Sequence, residues 1–459
     1  MLGSVSPSTA RATAIPDIES TAPAVNSMQS DSKPCVVNFS SAIEDREKTA
    51  LGTSANLGKV VSFKGEHFYL KDAVSYLPIS PEMGNAITSR EVVSAKLYGL
   101  FLPAPEEQMV NQCSSMMEGA DDEKIFIASR LIAYQDFGDC LIKEKTADDL
   151  ELQFKAFTKG HADAFKENAV TAKTLTDELS ALRKQENWWA GAGANPDLKL
   201  VQAYRPKAEQ LDMTMQKQFQ LLPDPLQKEM QEHLAVSQLL GDWDPINAFY
   251  KNMGIVKTDD GSLHVMRLDF GSCLDVGFQG QPKENGYETA VNQRPAVFPE
   301  LKHDFKRGNA EFSEMLPRLV DDLGSLPYAD HAQSIAGKPE WADTTRMKIG
   351  YRCGLIMQQK NSAQGAVETL FKSHLMDAPD LNATDNLIRI LNARMDALIN
   401  GQCGGSFNLA TWEIDNPELS ESIRADLASK LSIPIAPLSY DPDKQQSDNF
   451  RLKLNIQNN

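Results

Sequence analysis

The segment from Leu240 to Gly277 constrains the fold of this chain more than any other stretch. It begins with a loop, because Pro245 fixes its own φ and restricts the residue before it, so that no continuous helix can pass through. Two short apolar runs follow, at 253–257 and 263–268, and a polar turn that includes Gly261 separates them. Glycine supplies the positive φ that a tight turn needs, so the two runs predict a β-hairpin. The expected order is therefore loop, hairpin and second loop.

Chemically active side chains flank this hairpin on both sides. Asp242 and Asn247 lie five positions apart in the first loop, and Asp269-Phe270-Gly271 follows the second strand. An Asp and an Asn at this spacing, two short strands and an Asp-Phe-Gly motif resemble, in that order, the catalytic segment of the protein-kinase fold. Each motif alone arises easily by chance in an acidic chain, but their order and spacing favour the kinase-like interpretation.

The resemblance implies a role for each of these side chains. Asp242 would orient or deprotonate the acceptor hydroxyl, whereas Asn247 and Asp269 would hold Mg²⁺, which prefers hard oxygen ligands. Gly241 replaces the Arg that usually precedes the catalytic Asp, and Asp244 is a second candidate for base or metal ligand. These departures are similar to atypical branches of the fold, namely HipA-like kinases, phosphoinositide kinases and bacterial type III effector kinases.

A kinase-like small lobe also needs a glycine-bearing loop, a strand with a Lys and a helix with a Glu. Gly52 and Gly58 bracket a segment that would turn over the phosphates, although an ordinary surface turn fits them equally well. Lys71, at the end of a predicted strand, is the candidate phosphate-binding Lys, and the alternative is a solvated strand end. Glu91 is its candidate partner, but residues 88–91 are also typical of a capping box, in which Glu91 would only cap its own helix.

Two further features bear on this interpretation. Side chains alternate along a strand, so Tyr69 is expected on the same face as Lys71, where kinases usually keep a small residue against the adenine. An earlier Asp-Phe-Gly at 136–138 lacks a preceding Asp/Asn loop and hairpin. We therefore interpret this earlier tripeptide as a turn.

The resemblance to the protein-kinase fold implies the α+β class. The resemblance implies a bilobal protein-kinase-like fold with a small β-rich N-lobe and a large, mainly helical C-lobe that carries insertions. The predicted division of the chain is a disordered leader at 1–36, which is a candidate secretion signal, an N-lobe at 37–135, a C-lobe at 136–438 and a loosely ordered tail at 439–459. The C-lobe would contain the catalytic loop at 240–252 and the Asp-Phe-Gly at 269–271.

Charge and composition exclude several classes of function. The formal net charge of −17 argues against a duplex nucleic-acid partner, because binding to phosphate chains relies on clustered Lys and Arg. The six cysteines form no C-x-x-C pair, which disfavours a zinc site and favours a reduced compartment. No stretch of about 18 residues, the length that spans a bilayer, escapes charge or strong polarity, so we expect a soluble protein without a transmembrane segment. The leader, rich in Ser, Thr, Pro and Ala, resembles the export region of effectors that a type III system injects into the host cell cytoplasm, although a plain flexible tail has the same composition.

The leading hypothesis is a phosphotransferase of atypical kinase type that uses ATP and Mg²⁺. By resemblance it would be a bacterial effector that modifies a host protein or a phosphoinositide, with or without an activating host partner. One alternative keeps the fold but transfers AMP or another group, and the other is a pseudokinase that binds a partner. Asp242, Asn247 and Asp269 together favour an active nucleotide site over the pseudokinase. The sequence does not separate phosphoryl transfer from nucleotidyl transfer.

Overall fold

The computed structural model describes twelve stretches of the chain, all of them in one compact unit that begins at Pro34. These stretches are 37–39, 41–45, 58–71, 80–102, 113–116, 125–183, 198–242, 245, 250–258, 260–276, 339–399 and 409–438.

A six-stranded sheet occupies the N-terminal part of the described chain. Its strands are β1 (Val37–Asn38), β2 (Ile43–Glu44), β3 (Gly58–Phe63), β4 (Glu66–Lys71), β5 (Cys113–Met116) and β6 (Ile125–Arg130). They lie in the order β1-β5-β6-β4-β3-β2, and every neighbouring pair is antiparallel except β1 and β5. The strand that ends in the candidate phosphate-binding Lys is therefore an interior strand of the sheet.

The hairpin of β3 and β4 is stabilised by its turn and by an aromatic cluster. Lys64 and Gly65 both have positive φ, as the tight two-residue turn requires. On one face of the sheet, Phe63 stacks on Phe39 with a ring-centroid distance of 4.3 Å, and Phe68 packs edge-on against both rings. Since these rings lie on the face opposite Lys71 by strand alternation, they leave the other face for polar side chains.

Helices make up most of the remaining described chain. They are α1 (Pro81–Phe101), α2 (Phe137–Cys140), α3 (Glu144–Gln153), α4 (Lys159–Arg183), α5 (Leu198–Leu221), α6 (Asp224–Leu240), α7 (Pro339–Gln358), α8 (Gly365–His374), α9 (Thr384–Ala397), α10 (Leu409–Asp415) and α11 (Pro417–Leu431), with a short π-helical turn at Lys360–Gln364. A small sheet near the N-terminus and a larger helical part confirm the predicted α+β class, and the arrangement is consistent with a bilobal kinase-like fold. Among the described helices, none has the length and apolar character needed to cross a membrane.

Helix α1 begins ten residues before Glu91, and not at the capping box predicted for residues 88–91. Ser80 is the N-cap and accepts a hydrogen bond of 3.2 Å from the backbone N–H of Met83, while Pro81 takes the first helical position. The prediction was wrong because α1 is buried on nearly all sides, so the polar residues at 88–91 have tertiary partners instead of marking a helix end.

A second, three-stranded antiparallel sheet contains β7 (Tyr134–Asp136), β8 (Met253–Lys257) and β9 (Leu263–Arg267). The β8–β9 hairpin confirms the one predicted from the sequence, and Gly261 in its turn has a φ of +87°. Gly254 faces Asp136 across the β7–β8 ladder, where any side chain on residue 254 would overlap the carbonyl oxygen of Gln135. The middle strand therefore requires glycine at this position.

Two large apolar cores support these elements. One joins the C-terminal half of α1 to α6, α7 and the helices that follow, and it includes Phe270 of the second Asp-Phe-Gly. The other packs α2 to α6 against the β8–β9 hairpin. Helix α6 belongs to both cores, so residues 241–242 directly follow a helix that is packed on two sides.

Candidate active site

Three charged side chains from distant parts of the sequence meet between β4, α1 and the end of β9. Lys71 Nζ lies 3.0 Å from Glu91 Oε1 and 3.3 Å from Oε2, and it lies 2.7 Å from Asp269 Oδ1. The last pair joins residues that are 198 positions apart in the chain. The structure thus brings together Lys71, Glu91 and Asp269, and the alternative of a solvated strand end for Lys71 is wrong, because this residue is 8% exposed.

The three groups differ in how far solvent reaches them. The side chains of Lys71 and Glu91 are 10% and 1% exposed, whereas that of Asp269 is 45% exposed. Burial disfavours the charged form of Lys71, but the carboxylates of Asp269 and Glu91 outweigh it and raise the pKa of the ammonium. Burial likewise opposes ionisation of Asp269, yet the Lys71 charge prevails and lowers the pKa of this carboxyl. The Lys71 ammonium therefore keeps Asp269 ionised, although solvent reaches nearly half of the Asp269 side chain.

Glu91 is held in place because α1 is fastened to the helical part of the protein. Its neighbour Arg90 is buried and donates from Nε to Asp275 Oδ1 at 2.7 Å, and from its two terminal nitrogens to the carbonyl oxygens of Met376 and Asn382 at 3.0 and 2.7 Å. Burial raises the pKa of the Glu91 carboxyl, although Lys71 acts in the opposite direction. Glu91 therefore pairs across to β4 and does not cap its own helix.

The second Asp-Phe-Gly is fixed by a strained residue, a buried ring and a close contact. Asp269 has a φ of +63°, a conformation that non-glycine residues rarely adopt and that is concentrated at functional sites. Phe270 is buried against Tyr98 of α1, with ring centroids 4.9 Å apart. A methyl group on Gly271 would lie 3.0 Å from Glu91 Oε2, closer than ordinary packing permits. Glycine at 271 therefore lets the Glu91 carboxylate approach the chain beside Asp269.

Gly58 opens β3 and lies directly opposite Lys71 in the β3–β4 ladder. The ring of Tyr69 covers it so closely that a side chain on residue 58 would overlap the ring. The expectation that Tyr69 shares a face with Lys71 agrees with the strand register. Tyr69 thus folds its aromatic ring over the glycine that begins β3, on the face of the sheet that carries Lys71.

Asp242 follows directly on the C-terminal end of α6. Gly241 adopts the left-handed conformation at a φ of +65°, and the backbone N–H of Asp242 donates to the carbonyl of Ser237 at 2.9 Å. This pattern is a Schellman motif, which explains why residue 241 is a glycine. Asp242 is buried, at 2% exposure for the whole residue, and its carboxylate lies against Arg267, Ser272 and Tyr98.

Three of the predicted site residues lie outside the described stretches. They are Gly52, Asp244 and Asn247. Their assignments as phosphate-loop glycine, second base or metal ligand, and Mg²⁺ ligand stay predictions. Within the described residues, no group of three or more His, Cys, Asp or Glu side chains could hold a metal ion. The carboxylate of Asp269, half exposed beside Lys71, is a hard oxygen donor of the kind that Mg²⁺ prefers.

Sequence reasoning missed Asn252. This residue lies immediately before β8, and its carbonyl accepts a hydrogen bond of 2.8 Å from the backbone N–H of Leu268, the residue before Asp269. The hairpin register thus places an amide-bearing residue opposite the residue that precedes the predicted metal ligand. The sequence carried little signal for this residue, since Leu268, which lies opposite it, is apolar.

Comparison with known proteins returned little. No family model matches the chain, and no curated protein matches it. Among solved structures, the chain is similar to the proinflammatory kinase CtkA of Helicobacter pylori, with 12% identity, a TM-score of 0.35, and coverage of 86% of this chain and 98% of that one. This likeness is too distant to assign a function, which is inferred below from the contacts of the chain itself.

Proposed function

We propose that this protein is an ATP-dependent phosphotransferase of atypical kinase type that uses Mg²⁺. The observation that carries the proposal is the contact of one buried Lys71 with both Glu91 and Asp269. A buried ammonium held by one enclosed carboxylate and touching one half-exposed carboxylate can bind phosphate and cation side by side. A purely structural ion pair would not need the third, half-exposed member or the strained backbone at Asp269.

Each described residue then has a separate task. Lys71 would donate to the phosphate oxygens of ATP, and Glu91 would keep its ammonium aimed at them. Asp269 would hold Mg²⁺ together with an amide side chain, for which Asn247 and Asn252 are the candidates. A Mg²⁺ held there would neutralise charge that develops on the phosphoryl oxygens.

The reaction transfers the terminal phosphoryl group to an acceptor hydroxyl. The hydroxyl oxygen attacks the γ-phosphorus, the bond to the β,γ-bridging oxygen breaks, and ADP leaves with that oxygen. The hydroxyl proton passes to a carboxylate, for which the sequence offers Asp242 and Asp244. Orientation of the attacking oxygen contributes as much to such a reaction as proton removal does.

We further propose that the acceptor is a hydroxyl of a host protein or a phosphoinositide, and that the protein acts as a bacterial effector inside a host cell. The support for this part is the composition of the leader and the resemblance of the 240–277 segment to atypical kinases. An activating host partner remains part of the same proposal.

The test is incubation of the purified full chain with host-cell lysate and ATP that is labelled separately at the α and γ positions, with Mg²⁺ present. We expect label from γ-labelled ATP alone to enter a protein or lipid. Asp269→Ala should abolish the labelling, whereas Asp385→Ala, at a carboxylate whose side chain is 89% exposed, should leave it unchanged.

Label from the α position would instead identify nucleotidyl transfer. Absence of any transfer from a chain that still binds ATP would identify a pseudokinase. Either result would overturn the proposed reaction.

A further inference from the structure

The carboxylate of Asp242 is surrounded by hydrogen-bond donors. Arg267 Nε and Nη2 lie 3.0 and 2.9 Å from Oδ2, and Nη2 also lies 3.2 Å from Oδ1. Ser272 Oγ donates to Oδ1 at 2.5 Å, and the Tyr98 hydroxyl donates to Oδ2 at 2.7 Å. A carboxylate has about four lone-pair sites. These contacts occupy all of them.

Such a carboxylate is poorly suited to accept a proton from an incoming hydroxyl. A general base must come within hydrogen-bond distance of the proton that it removes, and the Asp242 side chain is 0% exposed. Protonation would also leave the buried guanidinium of Arg267, 1% exposed, without its counter-charge. Asp269, with 45% of its side chain exposed, shows the opposite arrangement in the same site.

The partners of Asp242 connect it to two of the three elements that form the Lys71 cluster, namely α1 and the end of β9. Arg267 ends β9 two residues before Asp269, and Ser272 follows directly on Gly271. Tyr98 lies seven residues after Glu91 on α1, which is two helical turns and therefore the same side of the helix. Asp242 thus joins the segment on each side of Asp269 to the helix that carries Glu91.

We propose that Asp242 is a positioning residue that holds Asp269 and Glu91 in place relative to each other, and that it does not take up the proton of the acceptor hydroxyl. The inference rests on the proposed function, because it concerns the same metal and nucleotide site. The carboxylate stays ionised throughout the reaction, and Arg267 balances its charge.

The experiment measures the affinity of the full chain for ADP in the presence of Mn²⁺ by calorimetry, together with the thermal unfolding midpoint and the turnover of Mg²⁺-ATP. A positioning role predicts that Asp242→Asn lowers the unfolding midpoint and weakens Mn²⁺-ADP binding about tenfold at full stoichiometry, as loss of a group that supports a metal ligand does. The paired change Asp242→Asn with Arg267→Gln, which makes the contact neutral, should recover most of the affinity.

A base behaves differently, because it does not contact the nucleotide. Unchanged Mn²⁺-ADP affinity and unfolding midpoint in Asp242→Asn, with turnover reduced at least about 100-fold, would overturn the proposal. If Asp242→Asn does not fold, Tyr98→Phe removes one donor and keeps the carboxylate. It should weaken Mn²⁺-ADP binding about threefold, whereas unchanged binding would contradict the positioning role.

These outcomes also separate this proposal from the proposed function. A wild-type chain that binds Mn²⁺-ADP but transfers no phosphoryl group would refute the proposed function, while the affinities of Asp242→Asn and of the paired variant would still decide the positioning role. A wild-type chain that binds no Mn²⁺-ADP would overturn both. Asp385→Asn, the same chemical change at an exposed carboxylate, is the matched control and should alter none of the three measurements.

Discussion

Two Asp-Phe-Gly tripeptides occur in this chain, and they have different environments. At 136–138 the Asp ends β7 and caps the short helix α2, where it accepts a hydrogen bond of 2.8 Å from the backbone N–H of Asp139. At 269–271 the Asp has a φ of +63° and contacts Lys71. The same three residues therefore begin a helix at 136–138 and contribute to a cluster of charged side chains at 269–271.

The difference is also electrostatic. Burial raises the pKa of Asp136 to about 6, and the neighbouring Asp139 adds to this effect. The pKa of Asp269 moves in the opposite direction, since the Lys71 charge outweighs burial. The Asp-Phe-Gly sequence alone therefore does not determine how its Asp ionises. The pKa of the Asp depends on whether the fold places a cation beside it.

The largest expected effect distinguishes the two Asp residues directly. Asp269→Ala should reduce Mg²⁺-dependent ATP turnover at least about 10³-fold, because it removes the half-exposed oxygen ligand. Asp136→Ala should leave the turnover per folded molecule near that of the wild type and cost about 1 kcal/mol of unfolding free energy, the usual cost of losing a helix cap. Steady-state turnover and urea unfolding of both variants provide the measurements. Equal losses of turnover would remove the distinction between the two motifs.

Replacement of the cation should remove the electrostatic difference. In Lys71→Met, burial remains the largest influence on Asp269 and its strongest opposing charge is gone, so the pKa of Asp269 should rise from its wild-type value, while that of Asp136 stays near 6. ATP turnover should fall about 10²-fold. Carboxyl titration by NMR measures both pKa values. A pKa of Asp269 that stays low in Lys71→Met would show that Lys71 is not the cause.

A third change should affect both regions at once. Strand β8 lies between β7, which ends at Asp136, and β9, which leads to Asp269, and Gly254 is its point of closest approach to β7. Gly254→Ala should cost about 2 kcal/mol or more of unfolding free energy, because the methyl group must displace backbone and not a side chain. Urea unfolding measures this cost. A neutral effect would show that the two strands separate easily.

A smaller effect is expected at Gly271. The methyl group of Gly271→Ala would displace the Glu91 carboxylate by a few tenths of an ångström and reduce turnover by about 3- to 10-fold. Gly160→Ala is a suitable control, since the nearest atom to a methyl there is 3.9 Å away, and turnover should not change. The ratio of kcat between the two variants is the measurement, and a ratio near one would contradict the close contact with Glu91.

The smallest effect is a pH dependence of stability. A carboxyl with a raised pKa binds its proton more tightly in the folded state, so Asp136 should make the protein less stable as the pH rises from about 4 to about 6. Asp136→Asn keeps the cap and removes the titration, which should flatten this decline by about 1 kcal/mol once solvent screening of a half-buried group is allowed for. Urea unfolding at both pH values measures it. An identical slope in the variant would show that Asp136 is not the source.

Much of this comparison could be predicted from the sequence, because it depends on local pattern. Gly261 and the alternation around it predict the β8–β9 hairpin, and the order of motifs nominates Lys71, Glu91 and Asp269. The predicted start of α1 lies too late in the chain, since a helix that is buried on nearly all sides has no continuous polar face to mark its boundary. The partners of Asp242 could not be predicted, because Tyr98 lies 144 positions away and its contact depends on tertiary packing.

The measurement that tests the central claim most directly is the metal dependence of ATP binding, followed by calorimetry for the wild type and Asp269→Ala. If Lys71, Glu91 and Asp269 form a metal-nucleotide site, Mg²⁺ should strengthen ATP binding to the wild type. Asp269→Ala should bind ATP with the same affinity whether or not Mg²⁺ is present. Equal strengthening by Mg²⁺ in both proteins, or no binding of ATP to the wild type, would contradict the assignment.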